Sequence, residues 1–245
     1  MKSLNWRVFF TLLLMSVLSV FAVFPYVLSL QGDIIRQIGQ PIVLIFVLQL
    51  FQSIILFSIA IFIGLYLIKK INFHLPFSDG KAVKDTLSLS VILGFITAVI
   101  IYGTDYLFTF LGSAISTSQN LAPVWQKLLA AFYGGVSEEI LLRLFVMTLF
   151  IWIGMKITRQ SLPAKTVIII SIFLAAIIFG LGHLPITASL TTITPLIIFR
   201  AIILNGIGGI IFGWLFWKKG LESAMIAHFT ADIFLLTVLP LLFGR

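Results

Sequence analysis

Long apolar runs separated by short polar links repeat along the whole chain. The apolar runs cover about residues 8–30, 41–67, 86–111, 136–157, 164–182, 193–217 and 221–242. Each run has roughly the 20 residues that a helix needs to cross a bilayer. Strands of a membrane barrel would instead show about ten residues of alternating polarity. The pattern therefore predicts an all-α protein, a polytopic transmembrane helix bundle of about seven or eight helices.

The segment 123–157 is longer than one span requires, because a continuous helix would reach roughly 50 Å at 1.5 Å per residue. The Gly134-Gly135 pair predicts a break in it. We expect a short helix over about 123–133 and a full span over about 136–157. Ser137 is then a candidate N-cap. Glu138 and Glu139 would lie in the first turn, where the helix dipole favours negative charge.

The polar links predict where the spans end. We expect loops over residues 31–40, 69–85 and 112–122, and we expect Pro185 to end the fifth span. The first apolar run exceeds the roughly 7–15 residues of a signal-peptide core, so we interpret it as an uncleaved span. The simplest division is one membrane domain, with N-terminal transmembrane helices in residues 1–120 and the core that carries the candidate site in residues 121–245.

Composition agrees with a multi-pass integral membrane protein. The chain has 245 residues, of which 60% are hydrophobic and 10% are charged, against roughly 25% charged residues in soluble domains. The chain contains no cysteine, which excludes disulfides, thiolate metal sites and a cysteine nucleophile.

The net charge of +8 comes mostly from residues in the links between apolar runs. These are Lys69, Lys70, Lys81, Lys84, Lys156, Arg159, Lys165, Lys218 and Lys219. Such a distribution is typical of cytoplasmic loops, so we predict no nucleic-acid partner. The distribution of basic residues predicts an N-terminus in the cytoplasm. With seven spans, the C-terminus would then lie outside.

Two carboxylates and a guanidinium interrupt the fourth apolar segment. A charge at bilayer depth costs roughly 2.5–3.5 kcal/mol on insertion scales, so Glu138, Glu139 and Arg143 need a physical reason to be there. Glu139 and Arg143 are four residues apart and can pair on one helix face. Glu138 is turned by about 100° from Glu139. We therefore predict a structural Glu139–Arg143 pair and a Glu138 left for chemistry.

Further ionisable residues occur in or beside the last apolar runs. His183 ends the fifth run, and His228 and Asp232 share one face of the last, where Asp232 could orient the imidazole and fix its tautomer. Intramembrane ionisable residues usually face the bundle interior and mark function.

A carboxylate with a neighbouring histidine can activate water, and a second polar pair can stabilise the resulting oxyanion. The set suits peptide hydrolysis without a covalent intermediate. Glu138, His183 and His228 could also ligate zinc, which we regard as the less favoured alternative.

Two other features have structural explanations. Gly209 and Gly213 form a GxxxG pair, which permits close helix approach. We expect Arg200 to be a structural partner of Asp105 or of a lipid headgroup.

Taken in order, these motifs resemble the CPBP family of intramembrane proteases, named for CAAX proteases and bacteriocin processing and also called the Abi or type II CAAX prenyl endopeptidase family. The matching motifs are Glu138-Glu139-xxx-Arg143, Phe179-xxx-His183, the GxxxG-bearing span and His228-xxx-Asp232. The resemblance covers about residues 121–243.

The resemblance implies a role for each residue. Glu138 would be the general base that activates water, with help from His183, and Glu139 and Arg143 would support it. His228 and Asp232 would contribute the oxyanion site, and no metal would be needed. Many members carry Asn in place of Asp232, and an ionised Asp cannot donate a hydrogen bond. Asp232 would then be protonated or act through His228.

The leading hypothesis is an intramembrane endopeptidase of the bacterial plasma membrane. Its partners would be the lipid bilayer and a membrane-embedded or lipidated, CAAX-like peptide as substrate. The alternatives are a zinc-dependent version of the protease and a non-catalytic membrane immunity or scaffold protein of the same fold. A small transporter with an acid–arginine proton relay is a third alternative, although the chain shows no internal repeat of the kind that many transporters have.

Overall fold

The computed structural model describes residues 4–77, 80–113 and 122–243, and these residues form helices and turns without a strand. Within them, seven helices are long and apolar enough to cross a membrane. This confirms the all-α transmembrane bundle and sets the number of described spans at seven. We number them α1 (Trp6–Gln37), α2 (Ile42–Lys70), α3 (Gly80–Phe110), α4 (Val124–Thr158), α5 (Lys165–Ala188), α6 (Pro195–Lys219) and α7 (Leu221–Phe243).

Two of the predicted loops are shorter than the polar links suggested. Helix α1 continues to Gln37, so most of the predicted loop over residues 31–40 is helical, with Asp33 and Arg36 paired one turn apart. Helix α3 begins at Gly80, inside the predicted 69–85 loop. Polar residues are compatible with a solvated helix end as well as with a loop, so polarity alone misplaced these boundaries. Residues 78–79 and 114–121, which belong to the predicted loops 69–85 and 112–122, and the domain boundary at residue 120 lie outside the described residues.

The predicted break at Gly134-Gly135 is wrong, because α4 runs without interruption from Val124 to Thr158. Two segments of it are π-helical, Gly134–Glu138 and Ile140–Met147. Such segments occur mostly as local insertions in α-helices and frequently at functional sites. Ser137 is not an N-cap; its hydroxyl lies 2.6 Å from that of Ser19 on α1, in the protein interior. Glu138 and Glu139 therefore lie in the middle of a helix and away from the positive end of its dipole.

Glycines allow neighbouring helices to approach closely. A Cβ on Gly209 of α6 would lie 2.6 Å from the Cβ of Ala176 on α5, and a Cβ on Gly213 would lie 3.1 Å from Ile172. The packing function predicted for this GxxxG pair is confirmed. On α4, a Cβ on Gly135 would lie 2.8 Å from the Cβ of Phe229, so α4 and α7 also make close backbone contact.

The outer surface of the bundle is apolar, as a lipid-facing surface must be. Large side chains such as Phe10, Phe21 and Phe51 are exposed on it. Towards one end of the bundle, the Nε of Arg200 on α6 donates a hydrogen bond of 2.8 Å to Asp105 on α3. Arg200 is therefore a structural partner of Asp105, as its position in an apolar helix predicted.

Candidate active site

Three helices bring the predicted site residues to one place in the bundle. Glu138 of α4 lies between two imidazoles, with its Oε1 3.9 Å from Nε2 of His183 on α5 and its Oε2 3.7 Å from Nε2 of His228 on α7. Asp232 approaches the same Nε2 of His228 at 3.6 Å. Two acids and two histidines from distant parts of the sequence thus form a single cluster.

The two adjacent glutamates occupy different surroundings. The side chain of Glu138 is 21% exposed, whereas those of Glu139 and Arg143 are completely buried. The Nε of Arg143 lies 3.1 Å from Oε2 of Glu139, so the predicted Glu139–Arg143 pair is present. Glu139 is held inside the protein by a counter-charge, and Glu138 faces a space that water can enter.

Aromatic rings complete the surroundings of Arg143. Its guanidinium carbon lies 5.4 Å from the ring centre of Phe179 and 5.9 Å from that of Phe212. Nε, Nη1 and Nη2 have no hydrogen-bond partner within the described part of the chain, so the contact with Glu139 is an ion pair without hydrogen-bond geometry. A cation over an aromatic face is stabilised by the ring quadrupole. The two phenylalanines therefore support a buried charge that Glu139 satisfies only in part.

Glu139 also holds His228, a task that the sequence assigned to Asp232. The Nδ1 of His228 lies 2.8 Å from Oε1 of Glu139. The ionised carboxylate only accepts hydrogen bonds, so Nδ1 donates and Nε2 is directed at Glu138 and Asp232. The ring of Phe212 stacks on the imidazole at 4.7 Å between centres. Spacing correctly placed His228 and Asp232 on one face, but it could not show that α4 supplies the acid on the other side of the ring.

His183 lies at a bend of α5, between the helical segments Lys165–Gly182 and Leu184–Ala188. The first segment ends at Gly182, as predicted for the fifth span, and Pro185 lies in the first turn of the second segment. The Nδ1 of His183 lies 2.9 Å from the carbonyl oxygen of Phe179. A carbonyl only accepts, so Nδ1 carries a proton and Nε2 is the ring nitrogen that faces Glu138. The 3.9 Å between this Nε2 and Oε1 of Glu138 leaves room for one bridging water.

Gly134 contributes to the site in a way that the sequence did not reveal. A Cβ at this position would collide with Oδ2 of Asp232 and would lie 3.2 Å from Nε2 of His228. Glycine is therefore needed for the close approach of α7 to α4 at the site. Phe179 and Phe212, which pack on the histidines, were also not recognised as site residues. A glycine beside intramembrane charges was the available signal, and it was interpreted as a helix break.

Zinc was the alternative for Glu138, His183 and His228. Among the described residues, no group of three or more histidine, aspartate or glutamate side chains has the spacing to hold a metal ion. We therefore derive no reaction step through a metal, and a chelator provides the direct test of the alternative.

Comparison with known proteins gives one positive result. No curated protein and no solved structure matches the chain significantly. The sequence model of the family described as type II CAAX prenyl endopeptidase Rce1-like matches residues 120–234. The matched region contains all six predicted site residues, from Glu138 to Asp232, and most of the helices that carry them. Over residues 120–234, slightly less than half of its length, the chain is therefore similar to the Rce1-like family of type II CAAX prenyl endopeptidases.

Proposed function

We propose that this protein is an intramembrane endopeptidase that hydrolyses a peptide bond of a membrane-associated or lipidated, CAAX-like peptide with water activated by Glu138 and His183. The family supports protease activity in general, and the seven spans support an integral membrane location. The observation that carries the mechanism is the position of the half-buried Glu138 carboxylate between two imidazole Nε2 atoms.

The reaction begins with a water molecule bound between Glu138 and Nε2 of His183. Glu138 takes one proton from this water while the water oxygen attacks the carbonyl carbon of the scissile bond. The carbonyl becomes a tetrahedral oxyanion. The carbon–nitrogen bond then breaks, and the proton held by Glu138 passes to the leaving nitrogen. The products are one peptide with a new carboxylate and one with a new amine.

His228 and Asp232 are placed on the opposite side of Glu138 from His183 and would face the oxyanion. In its imidazolium form, His228 donates from Nε2, since its Nδ1 already donates to Glu139. Asp232 donates to the oxyanion only when it is protonated. Donors fixed in place before the reaction stabilise developing charge without reorganisation. Glu139 and Arg143 act indirectly, because they hold His228 in the required orientation.

A lipidated substrate would reach such a site by diffusion within the bilayer. Glu138, Asp232 and His183 have side chains that are 21%, 22% and 31% exposed. The reacting groups are accessible, whereas the structural pair behind them is buried. This division suits a site that must admit both a peptide and a water molecule while the bundle stays intact.

The decisive experiment compares wild type with Glu138→Gln in liposomes, using a quenched S-farnesylated CAAX peptide and its unlipidated counterpart. Glutamine keeps the size of the side chain but cannot accept the proton of water, so we expect hydrolysis to fall at least 10²-fold, the lower range for losing a general base. Asp33→Asn, which changes an exposed acid at the end of α1, serves as the matched control and should hydrolyse like wild type.

Each outcome of this experiment has a definite meaning. Turnover retained by Glu138→Gln would overturn the proposed mechanism. Activity lost on adding chelator and restored by zinc would establish the zinc-dependent alternative. Wild type that cleaves neither peptide would overturn the proposed substrate class and favour the non-catalytic immunity or scaffold hypothesis.

A further inference from the structure

Phe212 is the residue through which α6 meets the candidate site, whose polar groups come from α4, α5 and α7. Its ring is buried, at 2% exposed. It stacks on the imidazole of His228 with 4.7 Å between the ring centres and 22° between the ring planes. Phe179 also approaches His228, at 5.7 Å, but its ring plane is turned by 80° from the imidazole. Phe212 is therefore the ring whose face covers His228.

The buried part of the site holds more positive charge than its own carboxylate balances. Glu139 contacts two basic side chains, with one oxygen 2.8 Å from Nδ1 of His228 and the other 3.1 Å from Nε of Arg143. When His228 is an imidazolium, one buried carboxylate faces two cations. The Phe212 ring lies next to both, because its centre is also 5.9 Å from the guanidinium carbon of Arg143. The face of an aromatic ring attracts a cation, and the attraction is stronger away from water.

The local sequence of α6 makes room for this ring. Gly208 lies one turn before Phe212, and side chains on a helix lean towards the preceding turn. A Cβ at position 208 would lie only 3.0 Å from Cε2 of Phe212. Gly209, the next residue, allows the close contact of α6 with Ala176 on α5. One glycine thus leaves space for the ring along α6, and the other brings α6 close to the helix that carries His183.

We propose that Phe212 is a positioning residue for His228: the face of its ring holds the imidazolium in place, with Nε2 directed at the oxyanion of the substrate. This inference rests on the proposed endopeptidase function and adds to it a residue that has no polar group. The hydrogen bond from Nδ1 to Glu139 fixes one point of the imidazole. Stacking on Phe212 fixes the plane of the ring as well. A donor that is fixed in both respects needs no reorganisation when the oxyanion forms.

Fluorinated phenylalanines test this contact, because each fluorine withdraws electron density from the ring face and changes the shape of the ring very little. Mono-, di- and trifluorophenylalanine are incorporated at position 212, and hydrolysis of the S-farnesylated CAAX peptide is measured in liposomes. We expect kcat to fall stepwise with the number of fluorines, by about tenfold in total. KM should stay the same, because the weakened interaction is one that the transition state uses.

Phe216 is the matched control, one turn further along α6. It is 1% exposed, and its ring packs at 5.7 Å on the ring of Phe73. It is therefore as buried as Phe212 but has an aromatic partner in place of a cation. The same fluorinated series at position 216 should leave kcat unchanged. An equal loss at both positions, or a kcat that is independent of fluorination at position 212, would overturn the inference.

A second measurement does not depend on hydrolysis. The chain has three histidines, so the ¹⁵N–¹H NMR signals of histidine-labelled protein in nanodiscs can be assigned with a His228→Gln variant. The Nδ1 proton that His228 donates to Glu139 should give a sharp signal in wild type and in Phe216→Leu. In Phe212→Leu, motion of the imidazole should broaden this signal. Trifluorophenylalanine at position 212 should also broaden it, and this variant keeps the shape of the side chain in case leucine disturbs the fold.

The outcomes separate this inference from the proposed function. A signal that is already broad in wild type, or one that stays sharp in both position-212 variants, would overturn positioning by Phe212. Wild type that does not hydrolyse the peptide would overturn the proposed function, but the NMR comparison would still show whether Phe212 holds His228 in place.

Discussion

Glu138 and Glu139 carry the same side chain, and the helix turns them towards different surroundings. Glu139 contacts Arg143 and His228 in the buried interior, while Glu138 faces His183 and the accessible side of the cluster. The spacing of four residues to Arg143 was sufficient to predict which glutamate pairs with it. The second contact of Glu139, with Nδ1 of His228, joins α4 to α7 and could not be predicted, because sequence spacing carries no information on contacts between helices.

Removal of Arg143 should reduce stability more than removal of the Glu138 charge. Arg143→Ala removes the buried counter-charge of Glu139 and leaves it only the contact with His228; loss of one partner of a buried ion pair typically costs about 3–5 kcal/mol. Glu138→Gln changes a side chain that is 21% exposed. We expect thermal unfolding in detergent to begin at least about 5 °C lower for Arg143→Ala than for Glu138→Gln. Equal unfolding temperatures and equal expression of the two variants would show that the ion pair does not stabilise the fold.

At the scale of helices, α4 shows how one glycine pair allows two interpretations. Gly134-Gly135 is compatible with a break, since glycine favours turns, and with a close helix contact, since glycine lacks a Cβ. The structure has the second arrangement, in which Asp232 and Phe229 of α7 occupy the space next to Gly134 and Gly135. Whether the pair forms a break or a close contact depends on the helix that packs against it. The local sequence does not show which helix that is. The GxxxG pair of α6 was easier to predict, because its four-residue spacing occurs within a long apolar run.

Two glycines of α6 allow a matched test of helix packing. A Cβ at position 209 would lie 2.6 Å from the Cβ of Ala176, whereas a Cβ at position 206 would meet no atom within 4 Å. Overpacking typically costs about 1–3 kcal/mol. We expect Gly209→Ala to lower the unfolding temperature in detergent, and Gly206→Ala to leave it unchanged or raise it slightly, because alanine has the higher helix propensity.

The two glycine variants must be compared in the same detergent and at the same protein concentration. A Gly209→Ala protein as stable as Gly206→Ala would show that α5 and α6 can separate without cost. The close contact between them would then not contribute to the stability of the bundle.

For the whole molecule, seven spans place alternate connections at opposite ends of the bundle. The connections α2–α3, α4–α5 and α6–α7 share one end, and most of the basic residues lie there, among them Lys69, Lys156 and Lys218. Apolar run length sufficed to predict the helices, because the bilayer imposes a minimum length on each of them. Helix ends were predicted less well, because a polar helix end and a polar loop are equally compatible with water.

The sidedness prediction can be tested by cysteine labelling, since the native chain contains no cysteine. Gln160, in the α4–α5 connection, and Thr192, in the α5–α6 connection, are both exposed and lie at opposite ends of the bundle. The positive-inside rule places Gln160 in the cytoplasm. In intact cells, a membrane-impermeant maleimide should label Thr192→Cys but not Gln160→Cys. Gln160→Cys should be labelled only after the membrane has been permeabilised. The reverse pattern would invert the predicted orientation.

The uninterrupted course of α4 limits how the length of this segment can change. One residue inserted between Gly134 and Glu138 would rotate the following part of the helix by about 100° relative to α7. Glu138 would then turn away from the two imidazoles, and the contacts of Glu139 and Arg143 with Phe179, Phe212 and His228 would be lost together. The α4–α5 and α5–α6 connections, which contain Gln160 and Thr192, can gain or lose residues without this effect. Between Gly134 and Arg143, the number of residues is therefore as strictly constrained as their identity. In the connections, the number of residues can vary.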